Sequence, residues 1–285
     1  MKKRLLSILT LPFLVVSCSS YLITYQTTKD ISYGDYEERN LLDISFPNGK
    51  PSTSLVVFIH GGAWISGSKA NYAEEFAKKY KDGYVYAAIN YRYASEECHC
   101  NDILDDIQKA MLKIKDVCNE NGYTINKVAF FGHSAGGHLS LLYAYKMKDV
   151  CPFAIGFVSS LSGPTDLSDE KYITDTSIGN SYYALASYMS GIHIDKANFD
   201  INKEELLNIS PISYIDNACP TIISHGDIDD IVPLSNAIAL KEKLDTTEAE
   251  HEFFLYKDSG HALDKDKETE RLYNTKFKEY KNKYL

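Results

Sequence analysis

What most constrains this chain is an alternation. Short apolar, β-branched runs at 55–59, 84–89, 127–131, 153–158, 221–224 and 251–256 are separated by segments of helical period. The helical segments are 71–80, 101–120, 134–147, 235–244 and 267–284, and the second carries Ile103, Leu104, Ile107, Met111, Leu112 and Ile114. Several runs are apolar throughout, as strands buried on both faces are. Strand, helix, strand in this rhythm predicts an α/β fold: a mostly parallel sheet with helices on both faces. Residues 31–46 could add one or two antiparallel strands at the start. A chain of 285 residues suits one large domain. With 44% hydrophobic and 24% charged residues it can bury a core, which excludes wholesale disorder. A net charge of −9 argues against a partner held through nucleic-acid phosphates. Residues 167–209 break the rhythm. They are polar and carry several tyrosines, and they read as a small helical cap or as surface helices without a role.

The N-terminus reads as an address. A basic start (Lys2, Lys3, Arg4) precedes a short apolar stretch interrupted by Pro12, too short to span a bilayer. Val15-Val16-Ser17-Cys18 resembles the lipobox of bacterial lipoproteins. The resemblance implies a signal peptide over 1–17, a lipid on Cys18, a tether over 18–30 and a domain over 31–285, anchored to a bacterial membrane outside the cytoplasm. An ordinary secretory signal or an uncleaved anchor is the alternative. Five further cysteines are Cys98, Cys100, Cys118, Cys151 and Cys219, an odd number that cannot all pair. Cys98-His99-Cys100 is too compact for a structural zinc site, whose ligands come as pairs from separate segments, so no metal is expected.

The sharpest motif is Gly132-His133-Ser134-Ala135-Gly136, a G-x-S-x-G between an apolar strand and a helical segment. A tight turn there lifts the serine hydroxyl above the sheet edge, beside a helix N-terminus that favours developing negative charge. After the strand at 55–59 comes His60-Gly61-Gly62-Ala63-Trp64, where small residues let backbone N–H groups turn inward as oxyanion donors. After 221–224 comes His225-Gly226-Asp227-Ile228-Asp229-Asp230, and after 251–256 comes Asp258-Ser259-Gly260-His261. Serine, acid and histidine thus fall in that order along the chain, the last two at the carboxyl ends of two late strands, the edge where open α/β sheets hold ligands. Asp227, Asp229 and Asp230 all compete for the acid's place.

These motifs together resemble the α/β-hydrolases of the esterase/lipase superfamily, in the branch with an H-G-G-x-W loop. That branch holds feruloyl- and acetyl-xylan-esterase-like carboxylesterases, hormone-sensitive-lipase-like enzymes and kynurenine formamidases. The similarity runs from about Tyr33 to the C-terminus and includes Asn90-Tyr91-Arg92-Tyr93 and Ser210-Pro211-Ile212. Where many relatives have a third glycine this chain has Ala63. The resemblance implies the α/β-hydrolase fold and a serine ester hydrolase of EC 3.1.1 type. Ser134 would be the nucleophile, His261 the base and Asp229 the favoured acid. Backbone N–H groups of Gly62, Ala63 and Ala135 would be the oxyanion donors, and Trp64 would line the substrate pocket. No cofactor is implied. Esterified glycan is the expected substrate class. The alternatives are an arylformamidase-like amide hydrolase, an exopeptidase, or a surface-binding lipoprotein that keeps the fold without the activity. His60, His133, His138 and His225 read as structural, as does Arg92.

Overall fold

The computed structural model describes residues 23–49, 52–70 and 72–285. The proposed signal peptide and Cys18 lie outside them. Eight strands form one sheet: β1 (Tyr25–Ser32), β2 (Leu41–Pro47), β3 (Ser54–Ile59), β4 (Val85–Ile89), β5 (Lys127–His133), β6 (Ala154–Leu161), β7 (Thr221–Gly226) and β8 (His251–Tyr256). The helices are α1 (Tyr72–Tyr80), α2 (Cys100–Glu120), α3 (Ala135–Lys146), α4 (Lys171–Thr174), α5 (Tyr182–Ser190), α6 (Lys203–Leu207), α7 (Leu234–Leu244) and α8 (Lys267–Tyr284). The spatial strand order is β1-β2-β4-β3-β5-β6-β7-β8. β1 and β2 run antiparallel to their neighbours, and β3 to β8 are parallel.

Successive side chains of a strand point to opposite faces, and the core divides accordingly. Leu55, Val57 and Ile59 of β3 join Val128 and Phe130 of β5 and Leu139 and Leu142 of α3 on one face. Val56 and Ala129 join Tyr273, Phe277 and Tyr280 of α8 on the other. Both faces are covered, which is why these strands are apolar throughout.

One boundary differs from the sequence reading. β1 begins at Tyr25, so residues 25–30 belong to the folded domain and not to a tether. They pair with β2 from Tyr25↔Pro47 to Thr28↔Ile44. This edge strand is largely exposed, so its sequence (Tyr-Gln-Thr-Thr-Lys-Asp) carries no apolar run to announce it.

Residues 167–209 fold as α4, a 3₁₀ turn at Gly179–Ser181, α5 and α6. Tyr172 of α4 and Tyr182 of α5 are fully buried and stack at 4.3 Å. Asn236 of α7 ties this segment to the domain: its Oδ1 accepts from the N–H groups of Thr165 and Asp166 and from the Tyr172 hydroxyl. The five cysteines beyond Cys18 are free thiols, four of them buried.

Candidate active site

The two central strands β3 and β5 end side by side, with Ile59 paired to Gly132. The chain leaves β5 through Ser134, whose φ of 57° and ψ of −127° lie outside the regions a side chain favours. Strain of this kind persists only where the surroundings over-determine it. Here they do. A Cβ on Gly136 would collide with the Ile59 carbonyl, and one on Gly132 with the Gly136 carbonyl. Both glycines of the motif are required by backbone meeting backbone. Ser134 therefore sits at the first turn of α3, where the N–H of Ala135 has no intrahelical acceptor.

After β3, the loop at His60–Trp64 bends sharply. Gly62, Ala63 and Trp64 have φ of 110°, 49° and 63°. The Gly62 carbonyl accepts from the N–H groups of Ile65 and Ser66 and from the Ser66 hydroxyl, which fixes the loop. A Cβ on Gly61 would stand 3.3 Å from Ser134 Cβ, so the loop borders the serine. Trp64 is buried. Its indole N–H donates to His138 Nδ1 at 3.1 Å, and His138 Nε2 in turn donates to the Ile209 carbonyl at 2.8 Å. Burial holds His138 neutral, down to about 4. This histidine thus braces the loop against α3 and the end of the 167–209 insertion.

β7 and β8 deliver the acid and the histidine. His261 Nδ1 lies 2.9 Å from Asp229 Oδ2 and 3.1 Å from Oδ1. Asp229 Oδ1 also accepts from the N–H groups of Ile231 and Val232 at 2.9 and 3.0 Å. Burial alone would raise the Asp229 carboxyl. The hydrogen bond and charge of His261 and the Val232 N–H more than offset it, so its pKa lies below the usual range. Asp229 is therefore an anion that fixes the Nδ1 proton of His261 and leaves Nε2 to face outward. Of the other two acids, Asp227 accepts the Ser259 N–H at 3.2 Å and shapes the histidine loop. Asp230 takes the Ser177 N–H on its backbone carbonyl. His133 donates from Nε2 to the His261 carbonyl at 2.8 Å, locking the elbow to the histidine loop. His225 lies behind the acid, with Nε2 donating to the Val232 carbonyl at 3.0 Å. Arg92 pairs with Asp106 at 2.9 Å, away from these groups. The Ser134 hydroxyl makes no hydrogen bond among the described residues. Catalytic contacts in unliganded sites commonly tighten only when substrate binds.

A pocket with a free volume of about 30 Å³ opens at Ser134. Ala63, Trp64, Ala135 and Val232 line it on the domain side, and Tyr172, Ile178, Tyr182 and Leu185 on the insertion side. Sequence reasoning missed these last four residues. They were legible only as aromatic and aliphatic residues in an otherwise polar stretch. It also missed Arg39, whose Nη2 reaches His60 Nε2 at 3.0 Å from a distant loop.

A mostly parallel eight-stranded sheet, with a strained serine turn, an Asp–His pair and a glycine loop at its carboxyl edge, defines the α/β-hydrolase class. The chain belongs to the BD-FAE family, whose model matches residues 42–244. A dienelactone hydrolase family model matches residues 205–284. Among curated proteins, the probable carboxylic ester hydrolase LipM of Mycobacterium tuberculosis is 30% identical over 226 residues, covering 77% of this chain and 52% of that protein. An isoprenylcysteine alpha-carbonyl methylesterase of Arabidopsis thaliana is 24% identical over 275 residues, covering 90% of this chain and 61% of that one. The chain spans about half the length of the first of these relatives. Esterase B of Lactobacillus Rhamnosis shares the fold with a TM-score of 0.71 at 17% identity, covering 90% of this chain and 85% of that chain. A truncated carbohydrate esterase from gut microbiota shares it at 0.69 and 18%, covering 92% and 98%.

Proposed function

We propose that this protein is a serine hydrolase of carboxylic esters, with Ser134 as nucleophile, His261 as base and Asp229 as its orienting acid. The observation that carries the reading is the Asp229–His261 contact at 2.9 Å beside a serine on a strained elbow. In the first half-reaction the Ser134 oxygen bonds to the ester carbonyl carbon while His261 Nε2 takes the hydroxyl proton. Negative charge on the carbonyl oxygen is met by the N–H groups of Gly62, Ala63 and Ala135. The carbon–oxygen bond to the alcohol then breaks, and His261 returns the proton to the leaving oxygen. Water repeats the sequence on the acyl-enzyme, releasing the acid and restoring Ser134.

The leaving oxygen must reach His261. The pocket at Ser134 is lined by two of the proposed donors but not by His261, so it lies on the acyl side. The side chains of Trp64, Tyr172, Ile178, Tyr182 and Leu185 close in on it and leave a small, mostly apolar space. That suits a short acyl group such as acetyl or propionyl. The His261 side chain is 20% exposed, so the alcohol side opens to solvent and suits a bulky alcohol such as a glycan hydroxyl. We further place the enzyme outside the cytoplasm, held to a membrane by lipid on Cys18.

The test is hydrolysis of p-nitrophenyl acetate by the purified protein beside Ser134→Ala. Activity lost in the variant, with fluorophosphonate labelling of Ser134, supports the reading. A folded wild type with neither turnover nor labelling overturns it. Mass spectrometry of the N-terminal peptide tests the lipid on Cys18, and an unmodified cysteine refutes the anchor.

A further inference from the structure

We propose that Arg39, from the loop between β1 and β2, is a positioning residue for the oxyanion hole, acting through the imidazole of His60. The inference rests on the esterase reading, because it assigns what aims one of that reaction's donors.

Arg39 Nη2 lies 3.0 Å from His60 Nε2. A guanidinium has donors and no acceptor, so Nε2 is the acceptor and carries no proton. The ring is neutral: burial, aided by the Arg39 charge, lowers it to about 4. Its one proton is therefore on Nδ1, which donates to the Gly61 carbonyl at 2.7 Å. The tautomer follows from the arginine.

The consequence passes through one peptide bond. The Gly61 carbonyl and the Gly62 N–H share a planar trans unit and point in opposite directions. Drawing the carbonyl onto His60 turns the Gly62 N–H away from it. That N–H makes no hydrogen bond among the described residues, and its peptide borders Ser134. It is thus held as an unspent donor beside the nucleophile.

Arg39 is itself held on other sides. Its Nε donates to the Tyr91 carbonyl at 3.0 Å, and its guanidinium lies 3.9 Å over the Tyr93 ring. Tyr91 stacks on His60 at 4.2 Å and donates its hydroxyl to the His60 carbonyl at 2.9 Å. Without Arg39 the neutral imidazole is free to move its proton to Nε2. The Nδ1 lone pair would then face the Gly61 carbonyl and push the peptide out of line.

The experiment compares wild type with Arg39→Ala and Arg39→Lys on p-nitrophenyl acetate, and records ¹⁵N spectra of the histidines, with His60 assigned by His60→Asn. Removing an oxyanion donor costs about 10²–10³ in rate, so a misaimed one is expected to lower kcat about 10- to 100-fold. KM and Tm are expected to stay near wild type, since Arg39 is half-exposed. Free guanidinium, below unfolding concentrations, should restore much of the Arg39→Ala loss. The wild-type spectrum should show His60 protonated at Nδ1 and bare at Nε2, and Arg39→Ala should mix the two forms. Wild-type kcat in Arg39→Ala overturns the proposal. So does a loss confined to KM or Tm, or a wild-type proton on Nε2. The spectra need no turnover. A chain without esterase activity would refute the earlier reading, while the spectra would still show whether Arg39 sets the His60 tautomer.

Discussion

Leu185 is where the size of the pocket at Ser134 can be changed with least damage. It comes from α5, lines the pocket beside Ser134 and is only half-buried. Leu185→Ala removes three carbons from the wall and should cost less than the 2–5 kcal/mol of a full core truncation. Wild-type enzyme should favour acetyl over butyryl esters, because each methylene without room lowers the rate about tenfold or more. A butyryl group has two more methylenes than acetyl. Burying them is worth about 0.8 kcal/mol each, about 1.6 kcal/mol together. At 1.36 kcal/mol per factor of ten, the butyryl-to-acetyl ratio of kcat/KM should rise about 15-fold in Leu185→Ala. The assay is kcat/KM on p-nitrophenyl acetate, butyrate and hexanoate. The reasoning is refuted if wild type prefers hexanoate, or if the ratio is unmoved in a folded variant.

Other outcomes follow from the same geometry. Asp229→Asn should lower kcat about 10⁴-fold, because the amide oxygen stays with the Ile231 and Val232 N–H groups and its NH2 faces His261 Nδ1, imposing the wrong tautomer. Asp227→Asn, which keeps an acceptor for the Ser259 N–H, should stay within about tenfold of wild type in the same ester assay. Gly136→Ala should destabilise by about 3 kcal/mol or more, since the new methyl meets the Ile59 carbonyl, and a fall in Tm reads it directly. Acid should destabilise the fold early. His60 and His138 sit near 4 when folded against 6.5 in their ordinary state. The unfolded chain therefore binds the extra protons first as pH drops from 6.5 to 4. At pH 5 this amounts to about 2 kcal/mol per histidine, with His133 and His225 shifted in the same direction. Asp229, depressed by His261, adds a further loss as pH falls from the ordinary carboxyl value of 3.8 towards its own lowered one. Urea midpoints at pH 7 and pH 5 measure the effect, and superimposed curves would refute it.

The parts of this molecule that the sequence announces are those whose physics is local. β3 to β7 are buried on both faces, so their apolar character survives in one dimension. The elbow is legible because the glycines at 132 and 136 answer to contacts within a few residues and to one neighbouring strand. β1 was not, because an edge strand with water on its flank has no need of apolar residues. Three aspartates within four positions could not be ranked by chemistry alone. The distinction lies in which one meets a histidine 32 positions on, while Asp227 turns to Ser259. Arg39 stands in a run of charges, Glu37-Glu38-Arg39, that reads as a solvated loop. Its contact with His60 spans 21 positions and leaves no periodic trace.

The early start of β1 fixes a direction in space. Tyr25 pairs with Pro47, and β2 runs from there antiparallel to β4, with Ser45 opposite Tyr86 and Leu42 opposite Ile89. Tyr25 thus enters the sheet at the edge where the parallel strands begin, opposite the edge that carries Ser134 and His261. Six residues lie between Cys18 and Tyr25, seven Cα–Cα steps that reach at most about 24 Å. If Cys18 is lipidated, the domain stands on its base with the catalytic mouth turned outward. An enzyme so mounted faces polymers and solutes arriving from the surroundings, and has its back to the lipids of its own membrane.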